Sequence, residues 1–340
     1  MAEAKGQTTQ RAAAPDLLVS AEDARRLSTL SHKDVFGEVM GRLATTDASL
    51  SVVVSDYGRR LNLSRFRELC PEGFVQCGIA EQNQVEVASA LANEGLTTFA
   101  PSYATFITSR VLDQVRVNLG IMASPVALVG VGCGCDAAIL GASHMALEDL
   151  GVMRQIPGMT VVSPCDNAEF AATLLELGRA PRPAYVRMNE AWGANLHPGG
   201  VGRAPGRPHL LRRAAGARVA LVSTGTISCR ALRAAELLAA EGIEASVLAL
   251  PTVKPLDAGA IDALGAPALL ASVEEHSVVG GLGSALAEAL AERGRGTALL
   301  RLGLPDRYLE ADARDAVLAR AGLDPAGIAA QVRDGYRRVR

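Results

Sequence analysis

Glu81, the fourth residue of "GIAEQNQVEVASALANEG" (78–95), is the first group in this chain whose placement could serve chemistry. It stands where the apolar run "FVQCGIA" gives way to Val85, Ala88, Leu91 and Ala92 at helical spacing. A carboxylate at such a junction is either an ordinary first-turn residue favoured by the helix macrodipole or a group held there for proton chemistry. Spacing alone leaves both readings open. "GASHMALEDL" places His144 at a loop-to-helix junction, and "PAYVRM" ends a strand-like run on Arg187. The thiols of "CGC" (133–135) have no second ligand cluster beside them, so no metal site is read there. "VVGGLGSALAEAL" (278–290) has the spacing G-G-x-G and lacks the dinucleotide-binding fingerprint; it reads as close backbone packing in a turn.

These groups need a scaffold, and the pattern around them supplies one. The chain has 340 residues, enough for two domains on the usual prior. Hydrophobic residues make up 49% but aromatics only 4%, so the cores are built from Ala, Val, Leu and Ile. Short β-branched runs at 49–56, 73–80, 97–102, 125–132, 158–164 and 183–188 alternate with amphipathic stretches at 34–44, 81–94, 104–119, 145–153 and 166–178. That alternation predicts an α/β fold with a mostly parallel sheet covered on both faces. Residues 189–216, rich in Gly, Pro and Arg, read as a linker. A second β/α unit follows it, so two doubly wound domains are expected. The boundaries are a disordered tail at 1–28, a first domain at 29–190, a linker at 191–215 and a second domain at 216–340.

Charge is nearly balanced, with 34 basic and 36 acidic residues, which gives no sign of a nucleic-acid or anionic-membrane partner. No apolar run approaches the roughly 20 residues of a membrane span. The N-terminus lacks the apolar core of a signal peptide, and six scattered cysteines form no disulfide framework. A reduced, cytoplasmic protein is the expectation.

Longer stretches carry a resemblance. "VQCGIAEQNQVEVASALANEGLTTFAPSYATFITSRVLDQVR", "GASHMALEDLGVMRQIPGMTVVSPCD" and "PAYVRM" resemble the pyrimidine-binding domain of the transketolase family. "STGT" and "VEEHSVVGGLGSA" resemble that family's C-terminal domain, in collinear order from about residue 30 to 335. The resemblance implies thiamine diphosphate as cofactor. It gives Glu81 a catalytic role, hydrogen-bonding the pyrimidine ring nitrogen remote from the thiazolium and so favouring the imino tautomer. Phe106 and Tyr103 fall on cofactor-facing aromatic positions, and Asp56 on an acidic position closing the first strand. His144 and Arg187 match substrate-binding positions, Arg187 for a distal phosphate. "EEHSVVGGLG" is expected to be structural.

The departures lie on the substrate side. The family's Gly-Glu-Asp-Gly stretch reads "AAILG", with Leu140 in place of the aspartate that binds sugar hydroxyls. A second family histidine is Gly132, a phosphate-binding arginine is Lys33, and a small hydroxyl residue is Arg60. Arg59, Arg60 and Arg187 would form a basic rim. The family's diphosphate domain, which holds Mg²⁺, is not in this chain. The expectation is therefore the C-terminal half of a split transketolase, paired with an N-terminal-type subunit in an α2β2 assembly. It would transfer a two-carbon ketol unit from a ketone donor to an aldehyde acceptor of unusual type. Two alternatives remain: a subunit that decarboxylates a 2-oxo acid and passes on the acyl unit, or a non-catalytic scaffold.

Overall fold

The computed structural model describes residues 17–191 and 193–340. Among these described residues fourteen strands follow in chain order: β1 (Leu17–Val19), β2 (Leu50–Val54), β3 (Phe74–Gln76), β4 (Thr97–Tyr103), β5 (Val126–Val131), β6 (Thr160–Val162), β7 (Ala184–Met188), β8 (Val201–Gly202), β9 (His209–Arg212), β10 (Val219–Ser223), β11 (Ala245–Ala249), β12 (Thr252–Lys254), β13 (Leu269–Ser277) and β14 (Ala298–Leu304). β2, β5 and β7 are buried along their whole length, as strands covered by helices on both faces must be.

Two main sheets result. The first has seven strands in the order β12-β6-β7-β5-β4-β2-β3, parallel except for β12. The second has five in the order β14-β13-β10-β11-β9, parallel except for β9. This is the mixed α/β, mostly parallel architecture expected. Helices Ala21–Leu27, His32–Ala44 and Asn167–Arg179 pack their apolar sides on one face of the first sheet. Helices Glu81–Asn93 and Asp149–Gln155 cover the other. Side-chain caps fix three helix starts: Ser31 accepts from Asp34 N–H, Asp166 from Glu169 N–H and Ser20 from Asp23 N–H.

Three expectations need correction. Residues 17–28 of the expected tail form β1 and a capped helix, with Leu18, Val19, Ala24 and Leu27 buried; residues 1–16 lie outside the described part. Inside the expected linker, β8 pairs with β1, and β9 joins the edge of the second sheet through β11. Finally, β12, from the second unit, adds antiparallel to β6 of the first sheet. The second unit therefore lends one strand to the first sheet.

The glycine turn behaves as packing. A Cβ at Gly281 would run into Glu274 Oε2. The space is taken by that carboxylate, which accepts from the N–H groups of Leu282 and Gly283 at 2.6 and 2.8 Å. Where a dinucleotide fold puts a phosphate on a helix start, this chain puts its own Glu274. Burial pushes that carboxyl up to about 7.

Candidate active site

In the first sheet the order reverses between β2 and β4, since β2 leads outward to β3 and β4 leads the other way to β5. Ligands collect outside the carboxyl ends of strands at such a switch point. Ser55, just past β2, and Ser102, near the end of β4, meet there through their hydroxyls at 3.1 Å. Buried Gln84 wedges between the same strands, donating to Val53 O at 2.8 Å and Pro101 O at 3.0 Å. It thereby pins the first turn of helix Glu81–Asn93 over the gap. Glu81 heads that helix and is only 5% exposed, although it belongs to a residue type almost never buried without a partner.

A cleft of ≈ 360 Å³ opens in front of Glu81. Tyr103 and Phe106 form one wall, with Tyr57 edge-on to Tyr103 at 4.7 Å between ring centroids. His144 closes the cluster, its ring 5.0 Å from Tyr103 and 5.2 Å from Phe106, both edge-to-face. Its Nδ1 is engaged by Ser143 Oγ at 3.0 Å. Asp56 and Arg60 stand at the exposed mouth, and Arg60 donates to the Tyr103 hydroxyl at 3.3 Å. Ile79 and Leu140, 78% and 49% exposed, also line the cleft and give its mouth apolar surface.

Of the site residues expected from the sequence, Glu81, Phe106, Tyr103, Asp56, His144 and Arg60 thus converge on one cleft. Lys33 is not among the lining residues; its Nζ is 6.0 Å from the centre of the Tyr57 ring, which is. Gly132 has φ +71°, and a Cβ there would face Ala137 and Tyr103 at 3.2 and 3.7 Å. A histidine would be strained as well as crowded.

Arg187 also stands apart from the cleft and requires a correction. It is 4% exposed and does not line the cleft. Its Nε donates to Asp149 Oδ2 at 2.8 Å, its Nη2 to Asp149 Oδ1, and its Nη1 to the carbonyl of Glu275 at 3.0 Å. Tyr185 donates to the same Asp149 carboxylate at 2.6 Å. Burial opposes ionisation of Asp149, but the Arg187 guanidinium more than offsets it and holds the carboxyl below its ordinary value. The guanidinium is committed to joining the two units.

Arg110 was not foreseen. Its Nη1 donates to Glu81 Oε2 at 3.1 Å, and its guanidinium lies 3.7 Å over the centre of the Phe106 ring. The available signal was its position four residues after Phe106, which on a helical stretch puts two side chains on one face.

The arrangement is a carboxylate at a helix start, shielded from water and facing an aromatic slot, with an imidazole at the mouth. Comparison with known proteins agrees. Residues 28–192 match the pyrimidine-binding domain of transketolase and residues 209–328 its C-terminal domain. The chain is 33% identical over 293 residues to the 6-deoxy-6-sulfo-D-fructose transketolase subunit SqwH of Clostridium sp. (strain MSTE9), covering 86% of this chain and 90% of that one. It is 31% identical over 336 residues to a 1-deoxy-D-xylulose-5-phosphate synthase of Chlorobium luteolum, covering 98% of this chain but 51% of the synthase, so it spans about half that relative's length. Among solved structures, a split-gene transketolase in the form of an inactive β4 tetramer superposes with a TM-score of 0.82 at 30% identity, over 92% of this chain and all of that one.

The fold and cleft define a pyrimidine-binding α/β domain joined to a second α/β domain. The chain belongs to the transketolase family, a family that uses thiamine diphosphate. Among the described residues no helix is long and apolar enough to cross a membrane, and all six cysteines are free.

Proposed function

We propose that this chain is the pyrimidine-side subunit of a two-component transketolase that moves a two-carbon ketol unit from a ketone donor to an aldehyde acceptor in the cytoplasm. The observation that carries this reading is Glu81: a buried carboxylate at a helix start, facing the slot between Tyr103, Phe106 and His144. These residues fit the pyrimidine half of thiamine diphosphate, offering a carboxylate oxygen to a ring nitrogen and an aromatic face to a flat ring. Bound there, the cofactor supplies the carbanion chemistry that amino-acid side chains lack. Glu81 would hold a proton on the pyrimidine ring, in a site dry enough for that hydrogen bond to count. Phe106 and Tyr103 would fix the ring plane and exclude water. His144 and Arg60, at the mouth, would meet the substrate's carbonyl end and an anionic group.

The diphosphate and its Mg²⁺ would be held by an N-terminal-type partner subunit, giving an α2β2 assembly; the split-gene relative, itself a β4 tetramer, supports self-association of this half. Leu140 and Ile79 favour a donor or acceptor with fewer hydroxyls on the side they face. The SqwH relative, whose name gives a deoxy-sulfo sugar, is consistent with that choice.

The test is a thiamine diphosphate titration with Mg²⁺, followed by near-UV circular dichroism, on the chain alone and mixed with a candidate partner. Saturation only in the mixture, lost in Glu81→Gln, is the expected result. Association with the partner without cofactor binding would reduce the chain to a scaffold. The likeness to the synthase favours a second reading, a 2-oxo acid donor. Release of carbon dioxide from pyruvate by the assembled enzyme would select it.

A further inference from the structure

Among the described residues one group of ligating side chains converges away from the cleft: Glu169, His197 and His209, with one donor atom of each within 4.8 Å of the others. They come from three different parts of the chain. Glu169 is in the first turn of helix Asn167–Arg179, His197 lies in the segment between β7 and β8, and His209 opens β9 at the edge of the second sheet. The two imidazole rings are 4.4 Å apart between centroids.

Each donor is available in a way that ordinary packing does not require. His197 Nδ1 is 3.0 Å from Asp166 Oδ2, which orients the ring and leaves Nε2 facing Glu169 Oε1 at 4.0 Å. A carboxylate behind an imidazole is the usual support of a metal-binding histidine, fixing its tautomer and raising its basicity. Asp166 is itself secured by the N–H groups of Leu196, His197 and Glu169 at 2.7, 3.2 and 2.9 Å. Glu169 commits Oε2 to the N–H of Cys165 at 2.8 Å, so Oε1 is the oxygen turned to the histidines. Both ring nitrogens of His209 are buried with no close hydrogen-bond partner, only the backbone at Arg207 bearing on the ring, a costly arrangement for an imidazole.

We propose that Glu169, His197 and His209 form a zinc site that ties the inter-domain segment and the edge of the second sheet to the first domain. Two imidazole nitrogens and one carboxylate oxygen are a common donor set for Zn²⁺, with water as fourth ligand. Tetrahedral donors at about 2.0–2.1 Å from zinc stand roughly 3.3 Å apart, so binding the ion requires the three side chains to draw together from their present separations of up to 4.8 Å. The site shares no residue with the cleft. Its role is to clasp the two units, in keeping with the passage of β12 into the first sheet.

The probe is the metal alone. The full chain, stripped with a chelator, is titrated calorimetrically with ZnCl₂ and separately with CoCl₂, whose absorption reports the ligand set. The expected result is one equivalent per chain, the visible bands of four-coordinate cobalt without a thiolate charge-transfer band, and a melting temperature raised by zinc. Affinity should fall at least tenfold in His209→Gln and in Glu169→Gln, with the folded state checked by far-UV circular dichroism. A folded His209→Gln that binds as before overturns the assignment. So does an unmodified chain that takes up no equivalent, or one whose cobalt spectrum shows thiolate ligation. The last two outcomes decide the matter even where both variants fail to fold.

Discussion

Replacing Arg187 by methionine separates its two possible roles. In the structure the guanidinium is bidentate on Asp149, a carboxylate with no exposed surface, and its remaining reach goes to the Glu275 carbonyl across the domain junction. A methionine side chain would fill most of the volume but leave the Asp149 charge with only the Tyr185 hydroxyl as donor. Breaking a buried ion pair by removing one partner costs about 3–5 kcal/mol. With each kcal/mol worth roughly 2–4 °C in a domain of this size, Arg187→Met should melt on the order of 10 °C lower. The double variant Arg187→Met/Asp149→Leu removes the orphaned charge and should recover much of the loss, because hydrophobic replacement of a whole buried pair is often near neutral. Thermal melts of the full chain by circular dichroism, at fixed protein concentration and scan rate, read both numbers. If Arg187→Met instead melts within a few degrees of the unmodified chain and raises KM for a phosphorylated donor in the assembled enzyme, the clamp reasoning is wrong and Arg187 reaches substrate.

Three further outcomes follow from the cleft and the junction. Leu140→Asp should improve use of polyhydroxylated ketose phosphates roughly 5–150-fold in kcat/KM, the equivalent of about 1–3 kcal/mol for a hydroxyl given a partner; no change in the donor profile would remove Leu140 from the specificity argument. Arg110→Ala frees the Glu81 carboxylate and the Phe106 face, so thiamine diphosphate should bind about fivefold tighter, taking about 1 kcal/mol for an ion pair whose arginine is solvent-exposed and whose carboxylate is buried; weaker binding would mean that Arg110 assists the cofactor. Glu274, pushed up to about 7 by burial from an ordinary 4.5, keeps its proton in the folded chain over a range where the unfolded chain has lost it. Its contribution to stability therefore declines as pH rises from 4.5 to 7, and the melting temperature of Glu274→Gln relative to the unmodified chain should climb over that window. A flat difference across that same range would count against the buried, protonated carboxyl.

What could be read in advance was whatever depends on local pattern. Glu81 was legible because a strand-to-helix junction is a property of neighbouring residues, and Tyr103, Phe106 and His144 were legible through contiguous motifs. Long-range pairing was not. Nothing near Arg187 announces that Asp149, 38 residues earlier, will take its guanidinium; at the end of a parallel strand it looks like any ligand-facing arginine. Arg110 was overlooked because a basic residue on a helical stretch is usually solvated. The expected tail hid β1 because a three-residue strand paired to a two-residue partner is too short to show periodicity. Likewise β12 reads as part of a turn in the second unit, and only the tertiary fold shows that it pairs with β6.

Among the described residues the second unit contributes no side chain to the cleft, yet it holds the loop that shapes it. Leu140 and His144 lie on the segment between β5 and helix Asp149–Gln155, and β13 grips that segment at both ends. At the near end Glu275 accepts from the N–H of Cys135 at 2.9 Å, while Arg314 secures the same carboxylate at 2.6 and 3.1 Å. A Cβ at Gly134 would sit 2.6 Å from Glu275, so this contact needs a glycine between the two cysteines. At the far end His276 Nε2 accepts from the N–H of Gly151 at 3.2 Å, and the Ser277 N–H donates to the carbonyl of Leu147 at 2.8 Å. Because His276 is the acceptor, it must be neutral, and burial pushes it down to about 4. The "EEH" run thus divides its work: Glu274 caps the helix behind the glycine turn, while Glu275 and His276 clamp the substrate loop from opposite ends. An apolar residue at position 140 can then alter what the cleft accepts without loosening it, since the loop's position is set by the other domain.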